Sequence, residues 1–290
     1  MSEPLPICYL NGAWLPLREA RISPLDRGFL FADGVYEVVP VYAGRPFRFE
    51  AHFDRLGRSL AGIRLRDPHD RNAWRAIVAE LLQRNAAQDA TFYLQVTRGA
   101  EYGRNHSPFP DVPATVFAFC SPLPDPSAAT LASGLAAVTT ADTRWSRCDI
   151  KSVALLANVL LRDEATLAGA HETILLRDGL LTEGSSSTVH VISDGKLVTP
   201  PDSHWILPGT TRSVVEELAD RVGLVRETRA VREAELRAAE EIWIASSGRA
   251  VLPVTRLDGR TVGDGTPGAH WKKVWQAFLD YRRECATRPW

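Results

Sequence analysis

The sequence predicts a mixed α/β (α+β) chain folded as two domains, and three observations carry that expectation. Short runs of β-branched and aromatic residues close into hairpins through tight turns, which makes neighbouring strands antiparallel. Between them lie segments whose apolar residues recur every three or four positions, the mark of amphipathic helices. Near the middle, residues 121–127 hold prolines at 122, 124 and 126, which suits neither a helix interior nor a central strand and reads as a linker. No G-x-G-x-x-G follows a strand, so mixed sheets are expected rather than a purely parallel, doubly wound one.

Residues 7–10 and 13–17 flank Asn11-Gly12 and read as the first hairpin. A second runs over 35–42, turns at Ala43-Gly44 and returns over 45–49. Phe53, Leu56, Leu60 and Ile63 place one helix, and Trp74, Ile77, Val78, Leu81 and Leu82 place another. Strands follow at 91–97 and 114–120, so a small first domain is expected over 1–120, a linker over 121–130 and a larger domain over 131–290. The second part opens with a strand at 135–140 and a helix directly after Lys151, through the apolar run 153–161. Hairpins over 172–183 and 188–199 turn at Asp178-Gly179 and Asp194-Gly195. A helix over 211–222, strands at 241–245 and 251–256, and a closing helix over 270–283 complete the pattern.

The chain has 290 residues, 45% of them hydrophobic, enough for substantial cores. Its formal net charge of −1 offers no basic excess for a phosphate backbone or an anionic membrane, so nucleic acid and membrane are not expected partners. No apolar run approaches the roughly 18 residues of a spanning helix, and the N-terminus lacks a signal-peptide pattern, so a soluble, cytoplasmic protein is expected. Cys8, Cys120, Cys148 and Cys285 are far apart, and the seven histidines show no H-E-x-x-H spacing. Reduced thiols and no metal are the expectation.

Four lysines stand among thirty arginines. Three have plain surroundings: Lys196 in a turn, Lys272 and Lys273 paired on the closing helix. Lys151 stands where a helix is expected to start, and the positive end of the helix dipole disfavours a cation there, which lowers the pKa and leaves a nucleophilic amine. Such an amine can capture an aldehyde cofactor; an ordinary solvated lysine fits the same position. Pyridoxal phosphate also needs an anion cup and an acidic partner for its ring nitrogen. The run Leu207-Pro208-Gly209-Thr210-Thr211 delivers hydroxyls onto a helix start that favours phosphate, although threonine there also serves as a simple cap. Glu183 precedes the small bend Gly184-Ser185-Ser186-Ser187, where a flat ring could approach, or where a turn carboxylate simply meets water. Tyr36 on a strand, Arg55 on a helix, and Arg104 and His106 in a loop supply a ring donor and guanidinium forks of the kind that grip a carboxylate.

Taken together, six segments resemble the fold-type IV pyridoxal-phosphate enzymes, most closely the D-amino-acid transaminases, over nearly the whole length. They are Asp26-Arg27-Gly28 with Asp33-Gly34-Val35-Tyr36-Glu37-Val38-Val39; His52-Phe53-Asp54-Arg55-Leu56; Gln95-Val96-Thr97-Arg98-Gly99; Arg144 through Lys151-Ser152; and Thr182-Glu183-Gly184-Ser185-Ser186-Ser187. The resemblance implies a small N-terminal α/β domain and a larger C-terminal pseudo-barrel domain. It implies that Lys151 bonds the cofactor aldehyde and shuttles the proton, that Glu183 partners the ring nitrogen, and that Leu207 lies under the ring. Arg55, Thr210, Thr211, Ser246 and Ser247 would form the phosphate cup, Tyr36 would line the substrate pocket, and Arg104 with His106 would trap the substrate carboxylate from a neighbouring subunit. A homodimer with its active site at the interface follows. The activity implied is transamination of D-amino acids with 2-oxoglutarate or pyruvate as acceptor; a branched-chain L-amino-acid aminotransferase and an aminodeoxychorismate lyase are the alternatives of the same fold.

Overall fold

The computed structural model describes residues 3–108, 111–288 and 290, and its contacts divide the chain into two units. The first takes the residues up to Pro124 together with Ile150–Leu155 and Cys285–Trp290. Its elements are β1 (Ile7–Leu10), β2 (Ala13–Pro16), a 3-10 turn at Leu17–Glu19, α1 (Arg27–Phe31), β3 (Gly34–Tyr42), β4 (Arg45–Pro46), α2 (Phe49–Gly62), α3 (Arg71–Arg84), β5 (Ala90–Thr97) and β6 (Thr115–Pro122). The strands form one antiparallel sheet in the order β2-β1-β6-β5-β3-β4. Alternation along β3 and β5 sends Val35, Val39, Phe92, Leu94 and Val96 into a core closed by Phe53, Leu56 and Leu60 of α2 and by Trp74 and Leu81 of α3. Each such side chain contributes about 1.5–3 kcal/mol on burial. Phe49, expected to end the return strand, instead opens α2, and its ring stacks on Phe53 with centroids 4.3 Å apart. The proline-rich stretch also begins inside a strand: Pro122 ends β6, where a missing ladder donor is tolerated.

A carboxylate ties the start of β3 and the adjoining end of β5 to α1. Asp33 accepts from Arg27 Nε at 2.9 Å and is forked by Arg98 through Nε at 2.8 Å and Nη2 at 3.0 Å. Burial is the largest influence and raises its pKa, but the two guanidinium groups together hold it below the ordinary 3.8. A depressed carboxylate adds stability that is complete above its unfolded value and disappears as pH falls through the folded value. The Asp33→Asn variant is therefore expected to melt below wild type near neutrality, by a loss of about 1–3 kcal/mol. The gap should close progressively below about pH 4; melting curves that stay equally far apart in acid would contradict this.

The second unit spans Asp125–Asp149 and Leu156–Glu284. It contains α4 (Ala128–Ser133), β7 (Leu135–Ala141), α5 (Leu156–Leu167), β8 (Glu172–Arg177), β9 (Leu180–Gly184), β10 (Thr188–Ser193), β11 (Lys196–Thr199), α6 (Thr210–Arg221), β12 (Arg226–Thr228), α7 (Glu233–Arg237), β13 (Glu241–Ser246), β14 (Ala250–Leu257), β15 (Arg260–Thr261) and α8 (Ala269–Thr287). Eight strands run in the order β12-β11-β10-β13-β14-β7-β8-β9, with β15 on β14; β7 is parallel to both of its neighbours, and most other pairs are antiparallel. The end strand β9 comes back against β10, so the sheet curls on itself. Val189, Val191, Ile242, Ile244, Leu252 and Val254 fill one face. Among the described residues no helix is long and apolar enough to cross a membrane, and no group of His, Cys, Asp and Glu is placed to hold a metal ion.

Candidate active site

Lys151 is not at a helix start. The helix expected directly after it begins only at Leu156, because residues 151–153 are claimed by the first sheet: Ser152 bridges Val35, Tyr36 N donates to Lys151 O at 3.0 Å, and Val153 N donates to Gly34 O at 3.0 Å. The dipole argument for a neutral amine therefore does not apply. What positions the residue is its backbone. Lys151 N donates to Ser59 Oγ of α2 at 3.1 Å, and the flanking Ile150 and Ser152 are buried. Gly34, whose O takes Val153 N, also lets β5 come close, since a Cβ there would stand 2.8 Å from Val96 O. The half-buried side chain leaves the edge with Nζ 4.2 Å from the Tyr36 ring centroid, so these two expected site residues are brought together.

Beneath them lies Glu37. Strand alternation turns this carboxylate toward α2, where it is fully buried. Arg55 forks it through Nε and Nη2 at 2.8 Å each, and His52 Nδ1 lies 2.8 Å away, one helical turn before Arg55. Burial raises Glu37, yet Arg55 and His52 overcome it and hold the group well below the carboxylate range. Burial pushes His52 down, and the charges of Arg55 and Lys151 add to that. Arg55 is thus oriented from below by an anion, a role for Glu37 that the sequence reading did not assign. Arg104 and His106 are exposed and gather elsewhere in the first unit, on Phe31: the Arg104 guanidinium lies 4.8 Å from that ring and the His106 ring 5.3 Å from it.

The remaining expected residues belong to the second unit. Glu183, near the end of β9, is buried; one oxygen meets Arg144 Nη1 and the other accepts from Leu207 N at 3.2 Å. Arg144 is held in turn by Asp142, through Nε at 2.9 Å and Nη2 at 2.8 Å, and Asp142 also accepts from Thr182 Oγ1 at 2.9 Å. Burial is the main influence on Glu183 and raises its pKa, against the pull of Arg144. The serine bend after Glu183 is fastened by Glu172, fully buried, which takes Ser187 Oγ at 3.0 Å and also Ser185 Oγ; Asn158 of α5 donates to Ser185 O at 2.8 Å. Asp142 and Glu172 are further residues that sequence reasoning missed, and Arg144, which opens one of the segments quoted above, was given no role there. The one local signal was the close spacing of Asp142 and Arg144.

Thr210 and Thr211 form the first turn of α6, and the N-cap is Gly209, which has no side chain to cap with. A Cβ at Gly209 would lie 2.8 Å from Thr188 Oγ1, so a larger residue would close this end. Helix α6 packs on β13, whose end carries Ser246, with Ser247 in the turn that Arg249 N closes onto Ser246 O at 3.1 Å. Glycine-started helix and hydroxyl-bearing turn are the chemistry of an anion cup. A buried carboxylate whose charge is costly suits a protonated ring nitrogen. These donor sets fit pyridoxal phosphate.

The amino-transferase class IV family profile matches residues 34–257. The D-alanine aminotransferase of Bacillus licheniformis is 40% identical over 268 residues, covering 92% of this chain and 94% of that protein. The D-alanine aminotransferase of Staphylococcus haemolyticus is 36% identical over 274 residues, covering 94% and 96%. Among solved structures, the T.th. branched-chain amino acid aminotransferase with pyridoxamine 5'-phosphate superposes with a TM-score of 0.90 at 24% identity, covering 100% of this chain and 97% of that one, a likeness of fold.

Proposed function

The chain belongs to the amino-transferase class IV family and is an aminotransferase; from that premise we propose that it moves the amino group of D-amino acids to 2-oxoglutarate or pyruvate with pyridoxal 5'-phosphate as cofactor. The observation that carries the reading is Lys151, an amine on a backbone pinned at both N and O, set against Tyr36. When bound, pyridoxal phosphate supplies an aldehyde for the amino group and a ring that takes up the electron pair left on Cα. Lys151 Nζ would hold the cofactor and then move the proton between the substrate Cα and the cofactor C4′, the transfer that turns an amino acid into a 2-oxo acid. The Glu183 carboxylate would hold the ring nitrogen protonated, with Arg144 opposing the rise that burial imposes on it. Arg55, Thr210, Thr211, Ser246 and Ser247 are the residues that would hold the phosphate, and Leu207 would offer the ring an apolar contact. Tyr36 would line the substrate pocket, and Arg104 and His106, reaching in from a second copy, would hold the substrate carboxylate.

The D-preference is supported by similarity to D-alanine aminotransferases. We also read the protein as a homodimer. Leu156, Val159 and Leu160 lie on one face of α5 and are 73%, 60% and 58% exposed in the single chain, an apolar strip of the kind a second copy covers. A donor screen on purified protein tests the reading, with both enantiomers of alanine and leucine against 2-oxoglutarate and pyruvate. D-alanine is expected to be used, by protein running at twice the chain mass. Preference for L-leucine, or release of pyruvate from aminodeoxychorismate with no acceptor, would overturn the assignment.

A further inference from the structure

The loop that carries Arg104 and His106 has no secondary structure of its own, and its surface is open: Tyr102 is 99% exposed. It is fastened from below by Arg27, which is buried at the start of α1. Arg27 Nη1 donates to Asn105 O at 2.6 Å and Nη2 to His106 O at 3.0 Å, while Nη1 also lies 3.4 Å from Glu101 Oε2. The same helix supplies Phe31, whose ring lies 4.8 Å from the Arg27 guanidinium, 4.8 Å from that of Arg104 and 5.3 Å from the His106 ring. A plainer role for Arg27 would be to neutralise Asp33. That carboxylate is already forked at both oxygens by Arg98, however. Among the described residues, the bonds for which no other side chain substitutes are those to the two loop carbonyls, and they need donors diverging from one plane, which arginine has and lysine lacks.

We propose that Arg27, with Phe31 as the platform, is a positioning residue that sets Arg104 and His106 for the α-carboxylate of the amino acid and of the 2-oxo acid. This rests on the reading that those two residues receive the carboxylate. Holding an exposed loop in its binding conformation in advance spares the substrate the cost of ordering it, so the effect falls on affinity more than on turnover.

The test uses the holoenzyme with Arg27→Lys, Phe31→Leu and, separately, Arg104→Gln. Three quantities are read: the rate of tryptic cleavage after Arg104, KM and kcat for D-alanine and pyruvate, and cofactor absorbance. Arg27→Lys is expected to keep the absorbance, to be cut faster after Arg104, and to raise KM about tenfold with kcat changed less than about twofold. Phe31→Leu should move the same way by less, and it carries the test if Arg27→Lys fails to fold. Unchanged cleavage, or faster cleavage with KM unmoved, overturns the proposal, as does lost absorbance and kcat with KM intact. If Arg104→Gln itself leaves KM unchanged, the carboxylate-trap reading fails, whatever the cleavage of the Arg27 variant shows.

Discussion

Replacing Lys151 with alanine is expected to lower transamination by at least about 10⁴-fold, since one amine both holds the cofactor and moves the proton. No other lysine stands in its place: Lys196 pairs with Glu227 at 2.6 Å, and Lys272 and Lys273 are exposed on α8. The fold should survive, because the bonds that fix residue 151 use its main-chain N and O, which alanine keeps. Lys151→Arg should be as inactive, as a guanidinium stays protonated and does not attack a carbonyl. Borohydride added with pyridoxal phosphate should fix the cofactor to the peptide containing residue 151 in wild type and leave that peptide unlabelled in both variants. Stoichiometric label on a peptide holding Lys196, Lys272 or Lys273 would refute the assignment.

Glu183→Gln is the second large effect, a fall in kcat of about 10²–10³-fold, the scale on which a preorganised charge partner acts. An amide cannot hold a proton on a ring nitrogen, although its oxygen can still accept from Leu207 N. Arg144 loses one anion and keeps the other, Asp142, so folding should be weakened rather than abolished. Steady-state rates at saturating donor, taken beside melting curves, separate the two contributions. A variant that melts like wild type and turns over at nearly its rate would remove Glu183 from the chemistry.

The parts of the fold legible in the sequence are those where one residue's own backbone decides. Asn11 with Gly12, Asp178 with Gly179 and Asp194 with Gly195 all take positive φ, and each pair closes a hairpin at the expected place. The helices read from Phe53-Leu56-Leu60 and Trp74-Ile77-Val78-Leu81 are present because their apolar stripe has one core to cover. The stretch after Lys151 reads otherwise than it folds. Its apolar period continues back to Val153, but Ser152 and Val153 find a strand partner in β3, and that pairing outweighs local preference.

For the site, the sequence by itself determined the chemistry on offer: a lysine at 151, a carboxylate at 183, hydroxyls after a glycine at a helix start, and an R-x-H loop, together with the family pattern in which they occur. Only tertiary structure decided what orients them. Ser59 meets the backbone of Lys151 across 92 residues, Arg144 meets Glu183 across 39, and Arg27 meets the carbonyls of Asn105 and His106 across 78 and 79. Turn angles and hydrophobic periods are set by neighbours along the chain, whereas a buried charge is stable only beside whichever partner the packing delivers, and no local pattern names that partner.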